Sequence, residues 1–262
     1  MSDLPEAFYL PADDGVYEPT SATESPWDGD AQHGGPPAAL LAHAIDATVG
    51  PGMRLGRISV DFLGPIPRRP VRIEVTPLRP GRQVRLTEAQ MIIDGRTAVT
   101  ARAWHIATGP TPPARTEHLP PPALPPADTG RPALPTDVTG RGYGQAIEWR
   151  FTHGGHGVLG PTQVWSRVRV PLIAGRKLTG LARTLIVADS ANGLSAVLPF
   201  ERWLSIPPTM TTTLLRVPDG DWVHLDCRTH LADDGLGLAQ ATLSDRDGYL
   251  GEVDQPLLVR ER

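Results

Sequence analysis

Apolar positions along the chain switch twice from a helical repeat to strand-like runs rich in β-branched residues. The first helical stretch is predicted over 36–49, in GGPPAALLAHAIDATV, where Leu40, Leu41, Ala44 and Ile45 recur at helical spacing. Pro36 and Pro37 are tolerated in a first turn, and Gly50-Pro51-Gly52 stops the helix. Runs rich in β-branched residues follow at 57–63, 71–77, 84–93 and 97–106, with Asp94-Gly95 as a hairpin signal between the last two. The second half opens with strand-like runs at 146–152 and 163–170 and then repeats the order. A helix is predicted over 178–197, then strands at 209–217, 222–229, 236–243 and 249–259, with Asp247-Gly248 ahead of the last. The two Asp-Gly pairs, and the strand heads Val71 and Val223, keep a nearly constant offset. Two unrelated units would not share it, so the pattern reads as an internal duplication.

Between the halves lies PTPPARTEHLPPPALPPADTGRPALP, which holds ten of the 29 prolines. Such a run lacks backbone donors and is biased to extended conformation, so it reads as a linker over the surface. The expected organisation is an N-terminal domain at 1–108, the linker at 109–145 and a C-terminal domain at 146–262. A helix followed by a hairpin-rich antiparallel sheet is an α+β unit with the helix on one sheet face. A curled sheet wrapped on a helix is the hot-dog arrangement. Two copies make a double hot dog, whose sheets can join edge to edge and protect their exposed strands.

Composition narrows the function classes. With 262 residues the chain can bury a proper core, and a net charge of -4 with pI near 6.1 argues against a nucleic-acid partner. Cys227 is the single cysteine, so no intrachain disulfide forms and a cytoplasmic location is expected. The first ten residues lack the apolar core of a signal peptide, and no run approaches the roughly 18 apolar residues of a membrane span, so no membrane insertion is expected. Neither G-x-S-x-G nor G-x-x-x-x-G-K-[ST] occurs. Gly140, Gly142 and Gly144 lack the spacing of a dinucleotide loop. His153 and His156 in FTHGGHG have no further ligand nearby, so no metal and no cofactor are expected.

Asp189, in LTGLARTLIVADSANGLSAVL, is the most informative acid. Inside an apolar helix its carboxylate is costly unless paired or working, which makes it a candidate general base. The alternative, that it points to solvent beside Asn192, is equally compatible with the spacing. Gln255, in EVDQPLLV, could orient a water or polarise a carbonyl, or face solvent from an edge strand. Thr209, Thr211 and Thr213 alternate along one strand and share a face, although threonine is also simply a good strand former. His33-Gly34-Gly35 precede the first helix, where backbone donors can seat an oxyanion or a thioester carbonyl, or merely form the turn. Arg68, Arg69, Arg82, Arg85 and Arg176 could neutralise phosphates, but scattered arginines are usually solvated and none is assigned.

The stretches GDAQHGGPPAALLAHAI and VDFLGPIPRRPVRIEV resemble the N-terminal half of the TesB-like acyl-CoA thioesterases (thioesterase II). LARTLIVADSANGLS, and DGDWVHLDCRTHLADDGLGLAQATLSDRDGYLGEVDQPLLV, resemble their C-terminal half. The resemblance implies hydrolysis of acyl-CoA to a free fatty acid and CoA by direct water attack, a place in fatty acid metabolism, and a homo-oligomer. It implies that an Asp in the second helix, a Ser or Thr opening the next strand and a Gln in the last strand hold the water. Asp189 and Gln255 match the first and third. Thr209 fits the hydroxyl best and Thr211 next; the acid that often follows two residues later in that family is Thr211 here. The acyl chain is expected in a tunnel between helix and sheet. The competing reading is a protein of the same fold that binds an acyl thioester or apolar ligand without cleaving it. A hydratase of this fold ranks last, because it wants an Asp beside a His and the Asp189 segment carries no histidine.

Overall fold

The computed structural model of the chain describes residues 4–110, 112–114, 116–127, 142–155 and 157–262. Residues 111, 115 and 128–141 of the expected linker, Gly140 with them, and His156 lie outside the described residues.

Two short strands open the chain, β1 (Tyr9–Pro11) and β2 (Val16–Pro19), then helix α1 (Gly35–Asp46). Strands β3 (Met53–Phe62), β4 (Val71–Arg79), β5 (Val84–Ile93) and β6 (Arg96–Ala107) follow. The short helix α2 (Gly142–Ala146) leads into β7 (Ile147–His153) and β8 (Thr162–Val168). Next come α3 (Gly180–Ala188) and α4 (Ala191–Leu194), then β9 (Trp203–Ile206), β10 (Thr209–Leu214), β11 (Val223–Leu231), β12 (Leu236–Asp245) and β13 (Gly248–Glu261). Every predicted strand-like run is present as a strand. The helix predicted over 178–197 is instead two helices, broken at Asp189-Ser190. At the break the side chains of Ser190 and Asn192 bond to Tyr143 and Ser205, partners distant in sequence that no helical repeat reports.

All pairing is antiparallel between named strands, in the order β1-β2-β4-β5-β6-β3-β10-β13-β12-β11-β8-β7, with β9 beside β13. The second half of that order mirrors the first, with β3 and β10 as the central pair. Thr211 lies opposite Ser59, so the two sheets do join edge to edge. Asp94 and Gly95 both adopt positive φ, 50° and 75°, the conformation that a two-residue turn between β5 and β6 requires.

Inside the curled sheet lie α1 and α3, packed on one another. Pro36 to Ala42 of α1 are all buried, as are Ala182 to Ala188 of α3. Gly35 is what lets them meet: a Cβ there would stand 2.1 Å from the Ile186 carbonyl oxygen of α3. The core is continuous across both halves and includes Leu40, Ile45, Ile58, Leu185, Ile186 and Met210. The described part of the proline-rich segment crosses the outer face of the second half. Trp165 Nε1 donates to the Pro122 carbonyl, Arg150 Nη1 to that of Pro125, and His118 stacks on Tyr249.

Candidate active site

Asp189 follows the last residue of α3, at the break before α4, and is 9 % exposed. The carboxylate therefore sits at a helix junction rather than mid-helix, as the periodicity suggested, and inside the molecule rather than in solvent. Three elements converge on it. From β13, Gln255 is fully buried, and its Nε2 donates to Asp189 Oδ1 at 3.0 Å and, more weakly, to the Asp189 carbonyl at 3.4 Å. From the approach to α1, His33 Nδ1 stands 3.0 Å from Asp189 Oδ2. From β3, the Phe62 ring closes the other side, so that a Cβ on Gly34 would meet Phe62 Cζ at 2.8 Å and Asp189 Oδ2 at 2.9 Å.

Each of these groups is itself held. Gln255 Oε1 accepts the Asn192 backbone N–H at 3.1 Å, which fixes the amide so that its donor end faces Asp189. Asn192 is clamped by Ser205 through two bonds, Nδ2 to the carbonyl and Ser205 Oγ to Oδ1. Along β13, β10 pairs with residues up to Asp254 and β9 with residues from Leu258, so Gln255 lies where one neighbour strand ends and before the other begins. His33 stacks face to face on Tyr143 of α2, ring centroids 3.8 Å apart and planes 5° apart. Tyr143 is buried; its hydroxyl donates to the Ile186 carbonyl and pairs with Ser190 Oγ at 2.8 Å, and burial pushes its ionisation well above the ordinary phenol range.

The His33 contacts constrain its proton. Nδ1 lies 3.0 Å from Asp189 Oδ2 and 3.3 Å from the Gly35 N–H. A bare Nδ1 would turn a lone pair toward a carboxylate; a protonated one donates to Asp189 and releases the Gly35 N–H. Pro36 and Pro37 remove two of the four donors that usually open a helix, leaving the N–H groups of Gly34 and Gly35.

The structure thus brings Asp189, Gln255, His33, Gly34 and Gly35 together. It does not bring the two threonines to them. Thr209 Oγ1 donates to the Val60 carbonyl at 2.8 Å, and Thr211 Oγ1 shares a bond with Ser59 Oγ at 3.1 Å. Register explains this: Thr212 and Val253 oppose one another and are buried toward the helices, as Gln255 is, so Thr209 and Thr211 lie on the other sheet face. The objection that Asp189 lacks a histidine also falls, because His33 arrives from the other half. Tyr143, Asn192, Ser205 and Phe62 complete the surroundings. Nothing in the sequence marks Tyr143, which stands in a glycine-flanked stretch beside the linker.

Two cavities open elsewhere. One of about 10 Å³, room for a single water, is lined by residues including Leu198, Trp203 and Val259. The other, an open cleft of about 470 Å³, is lined by Gly50, Pro51, Met53, Pro80, Gly81, Arg82 and Arg85. Neither borders Asp189, so the expected acyl tunnel is not one of these two. Among the described residues no His, Cys, Asp and Glu cluster could hold a metal ion, and no helix is long and apolar enough to cross a membrane.

Comparison with known proteins bears on the family. Residues 23–106 match the family model of the acyl-CoA thioesterase N-terminal domain, and residues 116–259 that of the acyl-CoA thioesterase C-terminal domain. No curated protein sequence matches the chain. A conserved hot-dog-fold protein of unknown function from Alicyclobacillus acidocaldarius has a similar structure, at 21% identity, covering 98% of this chain and 97% of that one with a TM-score of 0.75. The acyl-CoA thioesterase II TesB2 of Mycobacterium marinum is also similar (18% identity, 97% and 95% covered, TM-score 0.68). So is a TesB protein of Mycobacterium avium subsp. paratuberculosis (16% identity, 96% and 96% covered, TM-score 0.67). At these identities the likeness bears on the fold, which is a double hot dog. The two family matches together span most of the chain, and the protein belongs to the acyl-CoA thioesterase family, carrying both the N-terminal and the C-terminal domain of that family.

Proposed function

We propose that the protein hydrolyses acyl-CoA thioesters by direct attack of water, with Asp189 as the base. The observation that carries this reading is the convergence of a buried carboxylate, an oriented amide and an imidazole at the entry to α1. In this reading the thioester carbonyl oxygen sits at the Gly34 and Gly35 N–H groups, where the helix end favours negative charge. Asp189 takes a proton as the water oxygen bonds to the carbonyl carbon. The tetrahedral oxyanion then collapses, the carbon–sulfur bond breaks, and the thiolate leaves with a proton returned through Asp189 or His33. A free acid and CoA are the products, and no acyl-enzyme forms. Gln255 fixes one carboxylate oxygen and His33 the other, so the base is oriented before substrate arrives.

Thr209 and Thr211 join β10 to β3 in this scheme and are not asked to hold the water. Cytoplasmic location, homo-oligomerisation and a place in fatty acid metabolism belong to the same proposal and follow from the family resemblance. The division of the chain at 108 and 146 is proposed with it.

The experiment is thiol release from a panel of acyl-CoA chain lengths, run beside a binding measurement on the same protein. Release of CoA with at least one chain length is the expected result. Saturable binding of acyl-CoA with no release across the panel would overturn the hydrolase reading and leave the binding protein.

A further inference from the structure

The geometry points to a second binding site, for a phosphate-bearing anion, at the far end of α1 from Asp189. The open cleft of about 470 Å³ is large enough for a small ligand and carries two arginines, Arg82 and Arg85, and no carboxylate. Residues 79–85 supply three arginines and no acid, on a chain whose net charge is -4. The turn that presents them is tight. A Cβ on Gly81 would stand 2.4 Å from the Val84 carbonyl oxygen, which Arg79 Nη1 also binds at 2.7 Å.

Arg82 makes no hydrogen bond or ion pair among the described residues. Arg85 spends Nη1 on the Thr48 carbonyl at 3.0 Å, just past the end of α1, and its Nε is buried without a partner. Strand register groups further unmet atoms with it. Arg85 lies opposite His105, and Thr87, two residues along, opposite Ala103. Arg85, Thr87 and His105 therefore share the sheet face that packs toward α1. Thr87 Oγ1 and His105 Nδ1 are buried with no hydrogen-bond partner, and His105 is fully buried. Asp46, the acid of this end of α1, is turned to His105 Nε2 at 3.2 Å. Buried polar atoms are nearly always satisfied. Of the three residues only Arg85 lines the cleft, and its buried, unpartnered Nε beside the second guanidinium, that of Arg82, marks a place built for a polar ligand, because paired guanidinium groups suit phosphate oxygens.

Two sources share this chemistry: the nucleotide end of a CoA ester, and a free phosphate or diphosphate. Only the first rests on the proposed thioesterase reaction. The site itself is tested by titrating inorganic pyrophosphate into the full-length protein by calorimetry, with wild type, Arg82→Glu and Asp189→Asn in parallel. Wild type and Asp189→Asn bind, and Arg82→Glu binds at least about tenfold more weakly with an unchanged melting temperature. Arg82→Gln takes its place where the glutamate variant loses its fold. The source is read from hydrolysis. A raised KM for acyl-CoA but not for acyl-pantetheine in the Arg82 variant identifies the nucleotide end. An unchanged KM with lost pyrophosphate binding identifies a free anion. No saturable pyrophosphate binding, or equal binding in wild type and the Arg82 variant, overturns the site whether or not the protein hydrolyses thioesters.

Discussion

Asp189 has both carboxylate oxygens engaged, Oδ1 by Gln255 and Oδ2 by His33, and a glycine against one of them. That crowding makes Gly34 as consequential as the acid. Its backbone can approach Asp189 only because no side chain stands between the carboxylate and the Phe62 ring. Gly34→Ala is expected to push one of them aside and lower kcat for acyl-CoA by about tenfold or more, since small misplacements of a reacting group are costly. Thr209→Val should change kcat by less than about threefold, because its hydroxyl is bonded to the Val60 carbonyl on the opposite sheet face. Steady-state kinetics on the two variants checks both expectations, and the reverse ranking would move the water to the threonine. Asp189 and Gln255 stand out in the sequence because a charge and an amide interrupt apolar runs. The pairing of Asp189 with His33 does not, because it joins residues from the two halves and no local pattern encodes that distance.

The elements follow local rules closely. Runs rich in β-branched residues located each long strand, because such side chains fit a pleated, half-buried surface. The short strands β1, β2 and β9 escaped this reading, because three or four residues are too few to make such a run. The helix break at Asp189 escaped it too: apolar residues continue at helical spacing across a joint that only the bonds of Ser190 and Asn192 reveal. The β12–β13 turn shows how a carboxylate can stabilise an element. Asp245 is 1 % exposed, pairs with Arg216, and accepts the Asp219 and Asp247 N–H groups at 3.0 and 2.9 Å. Burial alone would raise its pKa, but the guanidinium and the two N–H groups outweigh burial and hold it below its ordinary value of 3.8. A carboxyl depressed in the folded state stabilises above its unfolded pKa and loses that contribution as pH falls through the folded value. Asp245→Asn is therefore expected to cost about 2 kcal/mol near neutrality, discounted because Arg216 is partly exposed. In chemical denaturation that difference should shrink below pH 3.8. A difference independent of pH would show that charge is not its source.

At the scale of the whole molecule, duplication explains why the candidate site lies at the join. The first half supplies His33, Gly34 and Phe62, the second Asp189 and Gln255, and α1 meets α3 backbone to backbone at Gly35 and Ile186. The strand pair β3–β10 locks the same join through the sheet. A repeated order of elements with a constant offset was enough to read the doubled architecture from the chain. The mirror order of the strands, and the crossing of the proline-rich segment over Trp165 and Arg150, depend on long-range packing that no periodicity reports. If Asp189 is the proton acceptor, removing its charge while keeping its shape must stop turnover without unfolding the join that holds it. Acyl-CoA hydrolysis by Asp189→Asn, measured beside its melting temperature, should fall by about a hundredfold or more at an unchanged fold; hydrolysis within a few fold of wild type would contradict the assignment.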